Sequence, residues 1–473
     1  MQYPLKTFSI AFRYYDEEKM VPLLSSIMFH NDLRKFEYKG TEEIFNKIQW
    51  PISYHIEHLT VFCDCRWRTV CSILSHLRSL RTLALKGANK YESDKFIDVQ
   101  PNITQSTCLT SLSLETYTNI TMNDIESLLL LLPKLTHLRL IGQDILTDPS
   151  LFDGCRWENF IKTKLTLLNR FEFWFTRYVV DNVDCTTVES LIATFRTSFW
   201  LETKHWCVKC DHISGKYRQY FYLYSIPISL DIFQYPNRYS EILHSILNTT
   251  DDNSTIVVET HALSLVLSKT VNERIQHQIS PRMNYWFQSV VELTLEIEKN
   301  WPANLAEYLS TILNLSSLQT IHLDFKQECQ FVVSLDNEVD TLFKHARDLI
   351  SCKISCHNSE RMKLITFNAI CLKLPRRIKY LQTDITYVDD AKILLEQIEH
   401  LSHVTFQNSD AYGFAIKIIQ QTPRIERDLA YEIECYAWID DYPRANLVHF
   451  WLGKSINKQL NIRTNNKRMK RVR

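Results

Sequence analysis

Leucines return along this chain in one fixed spacing, and that spacing constrains the fold more than any other feature. Leu77, Leu80, Leu83 and Leu85 define L-x-x-L-x-x-L-x-L. Leu132, Leu135, Leu138 and Leu140 repeat it, as do Leu315, Leu318, Ile321 and Leu323, and Ile398, Leu401, Val404 and Phe406. Shorter copies keep the later anchors: Leu33, Phe36 and Tyr38; Leu109, Leu112 and Leu114; Leu168, Phe171 and Phe173; Val290, Leu293 and Leu295. A unit this short cannot bury its own apolar side, so copies must stack on one another. The expected architecture is a solenoid.

Residues 109–140 display one whole unit. Leu112 and Leu114 alternate with Ser113 and Glu115, the period-two pattern of a half-buried strand. Thr121 with Asp124 is a capping signal, and Ile125, Leu128, Leu129 and Leu132 form one helical stripe closed by Pro133. Leu112 to Leu138 is 26 residues, Leu293 to Ile321 is 28, and Leu59 to Leu83 is 24. Strand, loop, helix and return in that length predict an α/β leucine-rich-repeat solenoid, a curved horseshoe of roughly 10–14 turns. Its parallel β-sheet would line the concave face and its helices the convex face.

Composition narrows the function classes. The longest pure apolar run, Leu128 to Leu132, is far short of the ~20 residues a bilayer needs, so no membrane association is expected. Met1 to Pro4 lack a basic n-region, so no secretory signal is expected and the N-x-S/T sequons are read as accidents. Thirteen cysteines without regular spacing read as reduced thiols of a cytoplasmic or nuclear protein. Seven scattered glycines exclude a phosphate-cradling loop, and neither a G-x-S-x-G elbow nor an H-E-x-x-H pair occurs. No enzyme activity, cofactor or metal is therefore expected. Cys207 and Cys210 tempt a zinc reading with His205 and His212, but strand parity sends the two halves to opposite faces. His55, His58, Cys63 and Cys65 are read as structural by the same parity.

Charge is balanced but uneven. Six of the 54 basic residues and none of the 54 acidic ones lie in 461–473, leaving the rest of the chain at −6. Lys467, Arg468, Lys470 and Arg471 fit a short nuclear-import pattern within a tail (456–473) expected to be disordered; nucleic-acid binding is the weaker alternative.

The organisation expected is N-terminal repeats over 1–175, irregular or inserted repeats over 176–290, and C-terminal repeats over 291–455. Within 176–290, Trp206 to Ile213 and Tyr217 to Ile226 predict a β-hairpin turning at Ser214 and Gly215. Ser240 to Leu247 predicts a short capped helix, and 249–255 an exposed loop.

On these frames, residues 30–175 and 288–410 resemble a leucine-rich-repeat domain of the F-box/leucine-rich-repeat family. Arg156-Trp157-Glu158-Asn159-Phe160, then Leu168, Phe171 and Phe173, then Phe195, Phe199 and Trp200, resemble its divergent members, as does the region of Trp451-Leu452-Gly453. The resemblance implies the substrate-recognition part of a cullin–RING ubiquitin ligase subunit. A Skp adaptor would join only through an F-box outside this chain, since residues 1–50 contain no such module. The alternative is a leucine-rich-repeat scaffold independent of ubiquitin. One departure stands out: where such repeats place Asn or Cys after the strand, this chain has Ala88, Tyr117, Gln143, Glu298, Lys326 and Ser409. Its loops must be held by other means.

Between the anchors, alternate residues point to the concave face, where a protein target is expected. Phe62, Lys86, Glu115, Arg139, Glu172, Trp174, Glu296, His322 and Asp324 are the candidate contacts, along with Ser113, Thr294 and Gln407. Phe62 and Trp174 would supply aromatic hot spots unless a loop of the inserted region covers them. From Glu115 onward the row reads as acidic, which predicts a basic stretch on the partner.

Overall fold

The computed structural model describes residues 6–11, 17–28, 30, 32–48, 55–89, 108–116, 120–179, 185–214, 219–234, 241–247, 256–267, 285–297, 301, 304–326, 334–356, 373–384, 387–397, 400–408, 411–421, 429–434, 446–452 and 470–471. The fold is α/β, built on two mostly parallel sheets. It divides into two compact units, residues 1–228 with 239–252, and 229–238 with 253–473. Residues 176–290, read from sequence as one irregular segment, are shared between them.

In the first unit, β1 (Thr7–Ala11), β2 (Lys35–Lys39), β3 (His58–Arg66), β4 (Thr82–Asn89), β5 (Ser111–Thr116), β6 (His137–Ile145) and β7 (Arg170–Val179) pair in parallel and in chain order. Leu59, Leu83, Leu112, Leu138 and Phe171 stand side by side in register, as the repeat frame requires. The sheet then turns antiparallel. The hairpin β8 (Cys207–Ser214) and β9 (Gln219–Ile226) forms as predicted, with β9 against β7; Gly215 and Tyr217 lie outside the described residues.

Strand β10 (Ser229–Gln234) opens the second sheet, while β11 (Glu241–Leu247) returns to pair antiparallel with β8. The helix expected at Ser240 to Leu247 is therefore a strand. Its apolar spacing suits either state, and the open edge of β8 supplies backbone partners along it that a lone turn of helix lacks. The loop expected at 249–255 lies outside the described residues.

The second sheet continues with β12 (Ile256–Leu267), β13 (Tyr285–Gln288), β14 (Glu292–Ile297), β15 (Thr320–Phe325), β16 (Ser351–Cys356), β17 (Tyr380–Thr383) and β18 (His403–Asn408), all parallel. It closes with β19 (Leu429–Glu434), β20 (Asn446–Leu452) and β21 (Lys470–Arg471). The order β18-β20-β19-β21 matches β7-β9-β8-β11. Both sheets thus end in an antiparallel cap, of which only the β8–β9 hairpin is expected from sequence. Such a cap pairs backbone groups that a terminal parallel strand would leave open. Lys470 and Arg471 sit in that cap; Lys467 and Arg468 lie outside the described residues.

One sheet face is apolar. Leu59, Leu83, Leu112 and Leu138 are fully buried and share one core with Val70, Ile73 and Leu74 of helix Trp67–His76, Ile125 and Leu128 of helix Met122–Leu129, and Trp157 and Ile161 of helix Gly154–Lys164. In the second unit, Leu293, Ile321, Leu381 and Val404 are buried in the same way, as are Leu309 and Leu394 of its helices. No helix among the described residues is long and apolar enough to cross a membrane.

Two devices hold the loops. Before most of the parallel strands, a single carbonyl accepts two backbone N–H groups of the following repeat: Arg34 O takes Glu57 and His58, Glu57 O takes Arg81 and Thr82, and Lys379 O takes Ser402 and His403. At helix starts, carboxylates do what the missing asparagines would. Glu42 accepts from Arg66 N at 2.6 Å, Asp148 from Met122 N at 2.7 Å, and Glu338 from Asn304 N at 3.1 Å. Thr121 and Asp124 form the expected reciprocal cap.

Candidate interaction surface

The other sheet face is polar, and its residues follow from strand parity. In the first unit, Lys39, Phe62, Lys86, Glu115, Ile141 and Trp174 form one cross-strand row. Glu37, Thr60, Ala84, Ser113, Arg139 and Glu172 form the next. The register slips between Lys86 and Ala88 at Gly87, whose φ of 101° a side chain would resist.

By parity the candidate residues share the polar faces, six on the first sheet and Glu296, His322 and Asp324 on the second. Their availability differs from the expectation. Glu115 and Glu172 are only 6% and 2% exposed. Arg139 lies between them, its Nη1 2.9 Å from Glu115 and 3.0 Å from the Ser113 hydroxyl, its Nε 4.0 Å from Glu172. Arg170 and His137 also contact Glu172, the latter at 3.4 Å. On the second sheet Asp324 is buried against Lys326, which also reaches Glu296 at 3.5 Å, and His322 Nε2 lies 2.7 Å from Ser355 Oγ. The acidic row is thus neutralised within the protein. Glu115 and Glu172 sink because the strand between theirs supplies Arg139, which their own strands' sequences do not reveal, while Asp324 is held by Lys326 of its own segment.

Parity alone makes Arg139 a cavity-facing position whose replacement costs less than about 1 kcal/mol. With its side chain 11% exposed and two buried carboxylates against it, Arg139→Ala should instead cost about 1–3 kcal/mol. Urea denaturation checks this, and the loss should shrink in a Glu115→Gln background because the two groups are coupled.

Phe62 carries the Lys86 ammonium 4.9 Å from its ring centre. Trp174 is half-buried, stacked on Tyr224 at 4.6 Å and tilted against Tyr222 at 5.5 Å. Strand β9, within residues 176–290, thus packs beside the tryptophan. Next to it, Lys209 and Asp211 are both buried, 3.2 Å apart, and the Tyr224 hydroxyl donates to Asp211 at 2.7 Å. Burial pushes the Lys209 ammonium pKa down while Asp211 opposes it.

On the second sheet an unforeseen ring cluster forms at the cap. His403 stacks on Trp451 at 5.0 Å, with His449 at 5.4 Å and the edge of Tyr380 at 6.0 Å. The Thr405 hydroxyl bridges His403 Nε2 at 3.3 Å and His449 Nδ1 at 3.0 Å. Burial, then the neighbouring His449, pushes His403 down to about 4. Folding therefore keeps His403 neutral, and unfolding takes up a proton wherever pH lies between about 4 and 6.5. Its stabilising effect is complete above 6.5 and lost as pH falls toward 4. The melting temperature should drop across that window, and His403→Phe should flatten the drop.

Cys71, Cys207, Cys210 and Cys352 are free thiols. Burial pushes Cys71 up to about 11 and Cys352 up to about 12, so both stay protonated and unreactive at neutral pH. Cys207 and Cys210 do fall on opposite faces, with Cys210 paired beside Leu223 and Cys207 beside Ile226. Among the described residues no three His, Cys, Asp or Glu side chains converge as a metal centre requires. No protein-family model matches the chain, and no curated protein matches it.

Proposed function

We propose that this chain is a protein-interaction module of the leucine-rich-repeat type, which holds a protein target on the polar faces of its sheets. The observation that carries this reading is the strand stack. Successive parallel strands recur every 23 to 33 residues, in chain order and in register. One face is spent on the helices and the other is polar with interspersed aromatic rings. Stacked units of this kind build extended surfaces, which suit recognition of a folded or extended chain. The solenoid architecture belongs to the same proposal.

The family resemblance extends the reading to the substrate-recognition part of an F-box-type cullin–RING ubiquitin ligase subunit. The adaptor contact would then belong to an F-box outside these residues. The residues that support this extension are the aromatic block of Trp157, Phe171, Phe173, Phe195 and Trp200, which packs as one cluster.

Affinity capture from cells with quantitative mass spectrometry tests the module. A protein retained by the parent should be lost with Phe62→Ala plus Trp174→Ala. Because Trp174 also packs on Tyr224, the melting temperature is followed in parallel, and Phe62→Ala alone provides a folded variant with weakened capture. Undiminished capture by both variants would contradict the reading. Recovery of a Skp adaptor and cullin, or their absence, decides the ligase extension.

A further inference from the structure

From the charge that the first sheet exposes, we infer that its polar face recognises an acidic peptide segment carrying apolar side chains. This rests on the proposed function and deepens it by naming the partner's chemistry; it reverses the basic partner expected from sequence.

Charges on this face are sorted by depth. The face contains acids and bases in mixed order, but they are not equally accessible. Glu115 and Glu172 lie at 6% and 2% exposure, tied to Arg139. Lys35 and Lys39 are exposed at the two ends of β2, with the half-exposed Glu37 between them. Lys86 is half-exposed, and Arg170 keeps 52% of its side chain in solvent even while touching Glu172. A partner approaching this face therefore meets cations first. Carboxylates already neutralised from within add little to the field outside.

The geometry sets the length of what fits. Lys39, Phe62, Lys86 and Trp174 share one row across β2 to β7. Five strand spacings make that row about 24 Å long, the reach of about seven residues of extended peptide. Cations and rings along one line suit a segment that mixes carboxylates with apolar side chains. Single-stranded nucleic acid would need open ring faces for base stacking. Lys86 already lies over Phe62, and Tyr224 already covers one face of Trp174, which favours the peptide.

The test is fluorescence anisotropy of the full chain with a labelled Glu/Phe peptide, set against the Lys/Phe peptide and a single-stranded DNA oligomer. The Glu/Phe peptide should bind best and weaken with added salt. Lys39→Glu with Lys86→Glu should weaken it at least about tenfold, and Lys39→Gln with Lys86→Gln by less. Lys162→Glu with Lys164→Glu makes the same charge change on the exposed side of helix Gly154–Lys164 and should have little effect. Equal or tighter binding of the Lys/Phe peptide or of DNA would overturn the inference, as would indifference to the Lys39 and Lys86 reversals. If a cellular protein is captured through Phe62 and Trp174 yet ignores the reversals, the inference fails while the proposed function stands.

Discussion

Replacing Asp211 with alanine should destabilise the first unit by about 3–5 kcal/mol, because it leaves the Lys209 ammonium buried without its carboxylate. Lys209 and Asp211 have side chains 0% and 3% exposed and lie 3.2 Å apart. The Tyr224 hydroxyl adds a third polar group, and the Lys209 ammonium lies 5.6 Å from the Tyr224 ring centre. Two charges removed from water repay that cost only while both are present. The double replacement Lys209→Met with Asp211→Leu should therefore recover most of the loss, since neither desolvation penalty remains. Urea midpoints for the single and double variants distinguish these outcomes. A loss below about 1 kcal/mol for Asp211→Ala would mean that water reaches the pair.

The second large effect lies at the repeat anchors. Leu112→Ala should cost about 2–5 kcal/mol, the range for truncating a packed core leucine. Leu112 is 0% exposed and stands in register between Leu83 and Leu138. Its neighbour Ser113 faces the polar side and accepts one hydrogen bond from Arg139, so Ser113→Ala should cost about 1 kcal/mol or less. Equal losses at these adjacent positions would show that the two faces of the sheet are misassigned.

Sequence and structure agree most closely where the signal is periodic. Leu83, Leu112, Leu138, Leu293 and Ile321 define their strands because each parallel strand needs an apolar side chain at the register position that faces the core. Several parallel strands escaped that reading: β10, β12, β13, β16 and β17. Strand β16 anchors on Cys352 and Ile354, and β17 on Leu381 and Thr383; each is buried, but cysteine and threonine carry too little hydrophobicity to mark a frame. The antiparallel caps were also hidden, since β11 and β20 owe their pairing to edges made by distant residues. The same holds for the site. Parity placed Phe62, Lys86, Arg139 and Trp174 on the polar face, but the depth of Glu115 and Glu172 depends on cations one strand away. The His403, His449 and Trp451 cluster unites residues on two antiparallel strands, a pairing that no local spacing announces.

On the proposed function, the partner meets the polar sheet face and not the helical side. Lysine-reactive labelling of the free chain and of the chain bound to its captured protein measures this directly. Lys35 and Lys39 are exposed and Lys86 half-exposed on the polar face, while Lys47, Lys162 and Lys164 are exposed on helices Glu42–Lys47 and Gly154–Lys164. Protection of Lys39 and Lys86 on binding, with Lys47, Lys162 and Lys164 labelled as in the free chain, is the predicted result. Protection confined to Lys47, Lys162 and Lys164 would contradict the account.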